Sequence, residues 1–363
     1  MLPKIFGVIV LALMLSGCSF NLPSGIGTSG GSIWKSFDKG QTFAPKTTVD
    51  EKTKISSADV LSFVFDPQDS QTIYIGTKEN GIFKTSDGAE RWERLEFPPL
   101  KVYGLAIDST DGNHLYASGA YQDIAKIYRS EDAGKNWKEI YTEPGKGTVI
   151  TALGSHPNAP NVLYAGTSAG VVIKSVNGGE TWSNVLAVKD PITKILFREG
   201  QMEMITLLAF NHGVIFSADG GKTWNDYAAQ GFASLGAGNY RSDSLGANNN
   251  VQPDSIAALT ADPTKLNVLY AGAKNGVFRS EDNGKSWQAL SIIESSKKFP
   301  ARAIAINPRN SNEIVYAAGN AFYRSVDGGA KWAVTQLEID RGVGDIKYDA
   351  TRPEIIYFVL RKF

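Results

Sequence analysis

The sequence predicts an all-β fold, a ring of seven four-stranded antiparallel blades, because two motifs recur along the chain on one beat and a single interval is long. The first motif is an octet. Its copies are SFDKGQTF (36–43), TSDGAERW (85–92), SEDAGKNW (130–137), SVNGGETW (175–182), SADGGKTW (217–224), SEDNGKSW (280–287) and SVDGGAKW (325–332). Their third positions, Asp38, Asp87, Asp132, Asn177, Asp219, Asp282 and Asp327, are spaced 49, 45, 45, 42, 63 and 45 residues apart. A regular period with one long step marks a repeat array carrying an insertion. The second motif, as in FDPQDSQTIYIGT (65–77), SHPNAPNVLYAGT (155–167) and ADPTKLNVLYAGA (261–273), joins two short runs of Ile, Val, Leu and Tyr through a polar turn bearing Pro or Asp. Together the motifs supply four strands per unit. Four strands in roughly 45 residues, repeated radially, make a β-propeller.

The elements follow in chain order. Residues 1–17 read as an export signal, with Lys4 as the basic head, an apolar run from Ile5 to Leu15, and small Ser16 and Gly17 before Cys18. The apolar run is too short to span a bilayer. LSGC resembles the bacterial lipoprotein lipobox, which implies cleavage before Cys18, lipid on its thiol and an extracytoplasmic, membrane-anchored protein. Cys18 is the one cysteine of the chain, so a disulfide framework is excluded. Acyl chains contribute about 0.8 kcal/mol per buried CH₂, enough in combination for stable anchoring. Residues 18–30, polar and rich in Gly and Ser, read as a flexible tether, and 31–363 as the propeller. The propeller begins with an octet that no strand pair precedes and ends with a strand pair that no octet follows. IIYFVL (355–360) is therefore expected to supply the inner part of a blade whose outer strands are SIWKSF (32–37) and the segment after Thr42. Such pairing closes the ring and hides both edges.

Each octet has a physical role in this reading. The Ser hydroxyl and the Asp carboxylate accept hydrogen bonds from turn N–H groups that no strand satisfies. The fifth-position Gly takes a positive φ. Trp92, Trp137, Trp182, Trp224, Trp287 and Trp332 wedge against the neighbouring blade. The aspartates are thus turn locks, and no catalytic residue is assigned. Lys plus Arg and Asp plus Glu both number 37, so no global field favours nucleic acid. His114, His156 and His212 fall in three different repeats without ligand-like spacing, and no P-loop or nucleophile elbow occurs, so neither a metal nor a cofactor is expected. His156 stands where Asp66 stands in the DP turn, and is expected to form that turn.

The octet resembles the Asp-box, or bacterial neuraminidase repeat, Ser-x-Asp-x-Gly-x-Thr-Trp, with departures at Phe43, Ala89 and Asn177. The resemblance implies that each box joins the third and fourth strands of a blade, on the face opposite the ligand funnel. Recognition then falls to the loops between second and third strands and to the links between blades. The long interval places the insertion 230–252 there, with Tyr240 and Arg241 as the first candidates for touching a partner. Tyr121, Gln122, Asp123, His212, Lys297, Lys298, Arg302 and Arg341 are expected beside them as a mildly basic rim.

Within this group of propellers, sialidases carry an arginine ahead of the first box and have six blades, whereas the first arginine here is Arg91 and seven boxes are counted. Xyloglucan-degrading endoglucanases share the texture but set their carboxylates across a cleft between two tandem propellers. Sortilin-type receptors have ten blades and a disulfide-rich tail. The whole-length likeness is to photosystem II assembly and stability factors, single exported propellers without enzymatic activity. That resemblance implies a scaffold that binds a protein partner at the envelope and membrane lipid through Cys18. A glycan-binding or glycan-cleaving propeller is the alternative.

Overall fold

The computed structural model describes residues 30–198, 200–227, 252–293 and 299–363. Cys18, Tyr240, Arg241, Lys297 and Lys298 lie outside the described residues, as do residues 1–17, read above as an export signal, and residues 18–29 of the expected tether. Within those bounds the chain forms seven four-stranded antiparallel sheets. Their innermost strands are Val60–Phe65, Lys101–Ile107, Ile150–His156, Ile192–Arg198, Ile256–Ala261, Ala301–Asn307 and Gly342–Tyr348, which define blades 1 to 7.

Blade 7 is the composite blade that the order of motifs predicts. Gly342–Tyr348 pairs with Ile356–Arg361, which pairs with Ile33–Ser36, which pairs in turn with Ala44–Pro45. The closure is also a matter of packing. Every neighbouring pair of blades shares a buried apolar cluster, including blades 7 and 1 (Ile33, Phe63, Ile75, Trp92, Tyr357) and blades 6 and 7 (Trp34, Val315, Phe322, Val343, Phe358). Apolar residues alternate between the two faces of each strand, so one blade buries both of its faces against two neighbours.

The octets form the turns between third and fourth strands. In the fifth copy Ser217 Oγ accepts the Gly221 N–H at 2.8 Å and donates to Asp219 Oδ1 at 2.8 Å. Asp219 then accepts the Thr223 N–H at 2.8 Å and the Thr223 hydroxyl at 2.6 Å. Asn177 makes the same set with an amide: Oδ1 accepts the Thr181 N–H at 3.0 Å and Nδ2 donates to Thr181 Oγ1 at 2.9 Å. The fifth position is left-handed in every copy, and so is the fourth, which the sequence reading omits. Lys39, Ala133 and Asn283 take it with φ near 60°, and Ala89 takes the fifth position at 74°.

The tryptophans stitch blades together. Indole N–H groups of Trp92, Trp182, Trp224 and Trp332 donate to Lys46, Ile140, Val185 and Ser291, carbonyls in or just after the outer strand of the preceding blade. The second motif turns are locked in the same style. Asp66, Asp108, Asp262, Asn307 and Asp349 each accept the N–H two residues on, and His156 does so through Nδ1 from Asn158 at 3.2 Å.

Candidate recognition face

Because strands alternate in direction, octet turns and second-motif turns share one face of the disc. The loops between second and third strands and the links between blades share the other, called here the link face. Each inner strand starts on the link face, and each begins with a register shift that leaves one residue unpaired. The seven bulged residues are Leu61, Tyr103, Thr151, Thr193, Ala257, Arg302 and Gly344. A bulge re-aims a side chain, so these residues ring the mouth of the central channel. One step deeper the equivalent positions are mostly small: Ser62, Gly104, Ala152, Ala258 and Ala303. The two exceptions, Lys194 of blade 4 and Asp345 of blade 7, sit on opposite sides of the ring. Desolvation in the channel lowers the Lys194 ammonium pKa, opposed by the Asp345 carboxylate and reinforced by the like charge of Lys347. Lys347 Nζ lies 3.8 Å from Asp345.

Tyr121, Gln122 and Asp123 do project from the link face. They cap the longest second-to-third hairpin, Leu115–Tyr121 against Ile124–Ser130, paired out to Tyr121 and Ile124. Relative to blade 1, whose strands are Ile73–Thr77 and Ile82–Thr85, the second strand is two residues longer and the third three, about 7–10 Å at a strand's rise per residue. Its two-residue turn puts Gln122 at φ 52° and Asp123 at φ 62°. Hairpin turns of this kind favour Asn-Gly, so two side-chain-bearing residues hold a conformation they ordinarily avoid. Tyr121 is 46% exposed at the tip.

His212 lies between two carboxylates, with Nδ1 3.2 Å from Asp190 Oδ2 and Nε2 2.8 Å from Asp226 Oδ2. Asp190 comes from the link into blade 4 and Asp226 from that blade's outer strand. The ring ties the link to the blade edge from which the chain departs toward the insertion. It also fills the space between the carboxylates and bonds to both, which leaves no room for a sugar between them, as a paired-carboxylate glycosidase requires.

Arg302 is a half-buried mouth residue. The ring of Phe363 lies 4.1 Å from its guanidinium carbon, and that of Arg361 is 5.9 Å from the same ring. Arg341 departs from the expectation of a rim residue. It is buried, and its guanidinium donates to Ala58 O at 2.7 Å, Ser56 O at 2.7 Å and Gly31 O at 3.2 Å, with Asp340 beside it at 3.1 Å. It belongs to the ring closure, where it pins the link from blade 7 to blade 1 against the incoming chain. The sequence reading also omits Asp190, Asp226, Phe299, Arg361 and Phe363. The bulge register, one or two residues after each inner strand starts, is the signal that singles out Tyr103 together with Arg302.

Fold and turn chemistry define a seven-bladed β-propeller whose outer hairpins are locked by Ser and Asp. The sequence profile of the Sortilin-Vps10 family, described as sortilin, neurotensin receptor 3, matches residues 125–236. Among curated proteins, the chain is 28% identical over 180 residues to the photosystem II assembly lipoprotein Ycf48 of Synechococcus sp. (strain CC9902), covering 48% of this chain and 46% of that one. It is 28% identical over 216 residues to a xyloglucanase of Paenibacillus sp, covering 57% of this chain and 19% of the enzyme. The chain therefore spans about half the length, or less, of the curated relatives it matches. Among solved structures, a GH74 xyloglucanase from Xanthomonas campestris superposes with a TM-score of 0.65 at 17% identity over 84% of this chain and 51% of that one. YCF48 bound to D1 peptide superposes with a TM-score of 0.62 at 14% identity over 87% and 98%. The structural likenesses show the shared fold, and they divide between an assembly factor and enzymes.

Proposed function

We propose that this chain is a non-enzymatic scaffold that binds a protein partner through its link face, held on the extracytoplasmic side of a membrane by lipid on Cys18. The observation that carries the reading is the character of that face. It presents the aromatic tip of a protruding, strained hairpin at Tyr121, exposed Leu100, Phe210, Ile293, Phe299 and Phe363, and the arginines Arg302 and Arg361 beside the Phe363 ring. Aromatic residues and arginine are the side chains that dominate protein interfaces. The insertion with Tyr240 and Arg241 leaves from the same face. The likeness to a relative solved with a peptide bound supports a protein partner; the likeness to xyloglucanases supports a glycan as the competing ligand.

Capture from native membranes by the full-length protein tests the proposal. A partner retained by the wild type and lost with Tyr121→Ala, and with Tyr240→Ala plus Arg241→Ala, is the expected result. Turnover of aryl glycosides or xyloglucan oligosaccharides by the purified protein would overturn it.

A further inference from the structure

Between blades 6 and 7 the link face opens into a small cleft of about 160 Å³, lined by Phe299, Pro300, Arg302, Ala317, Asn320 and Val343, with Gly319 and Gly342 at its edges. Its walls are mostly apolar and its volume matches one amino-acid side chain, well below that of a small-molecule site. The cleft is kept open by glycine. A Cβ on Gly319 would meet the Phe299 ring at 2.8 Å, and one on Gly342 would meet the Phe363 ring at 2.7 Å.

Arg302 stands at the rim, and its surroundings are unusual for an arginine at an interior edge. Among the described residues neither Arg302 nor Arg361 has a carboxylate within ion-pair distance, although both approach the one ring of Phe363. The guanidinium carbon of Arg302 lies over the Phe363 ring, 4.1 Å from its centre. A cation–π contact takes up no hydrogen-bond acceptor, so it leaves the guanidinium's N–H donors to be matched by another group. The Asp59 carboxylate, which accepts the Lys362 N–H at 2.6 Å, acts on Arg361, so Arg302 is the guanidinium left with its charge uncompensated by an ion pair among the described residues, and its fork geometry favours a carboxylate.

We propose that this cleft receives an apolar side chain from an extended segment of the partner, with the carboxylate of an adjoining Asp or Glu held by Arg302. The proposal rests on the reading of the link face as a protein-binding surface and adds its specificity: an aliphatic or aromatic residue next to an acidic one. Phe363 is the positioning residue, since its ring lies against the Arg302 guanidinium.

The test uses the full chain and three fluorescein-labelled, C-terminally amidated hexapeptides that differ at their centre, Gly-Ser-Leu-Glu-Ser-Gly, its Leu-Gln counterpart and its Ser-Glu counterpart, read by fluorescence anisotropy. The Leu-Glu peptide is expected to bind, and the Gln and Ser peptides to bind about tenfold more weakly, the size of one lost charge-assisted contact or one lost buried side chain. Arg302→Gln is expected to erase the preference for Glu over Gln while retaining that for Leu over Ser. Phe363→Ala is expected to weaken the two Glu peptides and to leave the Leu-Gln peptide unchanged, with an unchanged melting temperature for both variants. Equal binding of the Glu and Gln peptides by the wild type, a preference for Glu over Gln that survives Arg302→Gln, or no binding of the Leu-Glu peptide at about 1 mM overturns the proposal. Membrane capture separates this failure from that of the broader reading. A partner lost with Tyr121→Ala but kept with Arg302→Gln removes the cleft and leaves the scaffold, whereas a partner indifferent to both removes the scaffold too.

Discussion

Replacing Arg341 by alanine distinguishes a residue of the ring closure from a residue of the rim. The guanidinium makes three hydrogen bonds to main-chain carbonyls, two of them at 2.7 Å, and its side chain is 5% exposed. A hydrogen bond to a charged group contributes about 1.5–3 kcal/mol. Truncation leaves the carbonyls of Gly31, Ser56 and Ala58 without this donor and opens a void that water fills in part. The Asp340 carboxylate, already largely in solvent, loses little. The net cost falls at about 3–5 kcal/mol, the range for removing one member of a buried charged network. In a domain this large each kcal/mol moves the melting temperature by about 2 °C, so a drop of about 6–10 °C is expected. Thermal unfolding followed by tryptophan fluorescence reads it directly. Arg341→Lys is expected to recover only a minority of the loss, since a compact ammonium cannot reach three carbonyls with the geometry of the fork. An Arg341→Ala protein that melts with the wild type yet fails to capture a partner would refute the closure role and restore Arg341 to the rim.

Three further outcomes are expected. Turn N–H and hydroxyl donors hold the Asp132 and Asp219 carboxyls at about 2, the backbone N–H of Asn136 leading for the first and the Thr223 hydroxyl for the second. Their folded values lie below the unfolded value of about 3.9, so their contribution is complete above that value and is lost as pH falls toward 2. Asp132→Asn plus Asp219→Asn should therefore flatten the loss of stability between pH 5 and pH 2 in a denaturation series, and a slope equal to the wild type's would contradict the turn-lock chemistry. Trp92→Ala removes an indole that is 1% exposed and donates to Lys46 O at 2.9 Å across the closing seam; denaturant unfolding should show a loss of about 3–5 kcal/mol, and less than about 1 would deny the wedge. Cys18→Ser should release a folded protein from the membrane, and persistence in the membrane fraction after a salt wash would rule out lipid anchoring through that thiol.

The architecture was legible because each feature that builds it repeats. Seven octets fix the number of blades, and the unpaired motifs at the two ends fix how the ring closes, since a strand without a partner must find one. His156 could be read as a turn residue because it sits at a repeat position normally filled by Asp. The recognition face was legible only as a location. Its side chains occur once each, in loops whose contacts join residues far apart in the chain. Arg341 shows the difficulty: charge and loop position suggest the surface, while its three carbonyl partners lie about 280 to 310 residues away in sequence and carry no local signature. The bracketing of His212 by Asp190 and Asp226 forms within one blade and its link, over 22 and 14 residues, and the contact of Phe363 with Arg302 forms between neighbouring blades.

Fastening and recognition occupy opposite faces of one disc in the proposed scaffold, and paired substitutions compare the two faces directly. Asp132→Asn plus Asp219→Asn alters the octet face, where Asn177 already shows that an amide maintains the turn, and Tyr121→Ala alters the link face. Membrane capture by both folded variants should show the partner retained by the first and lost by the second; loss by the octet variant with retention by Tyr121→Ala would contradict the assignment.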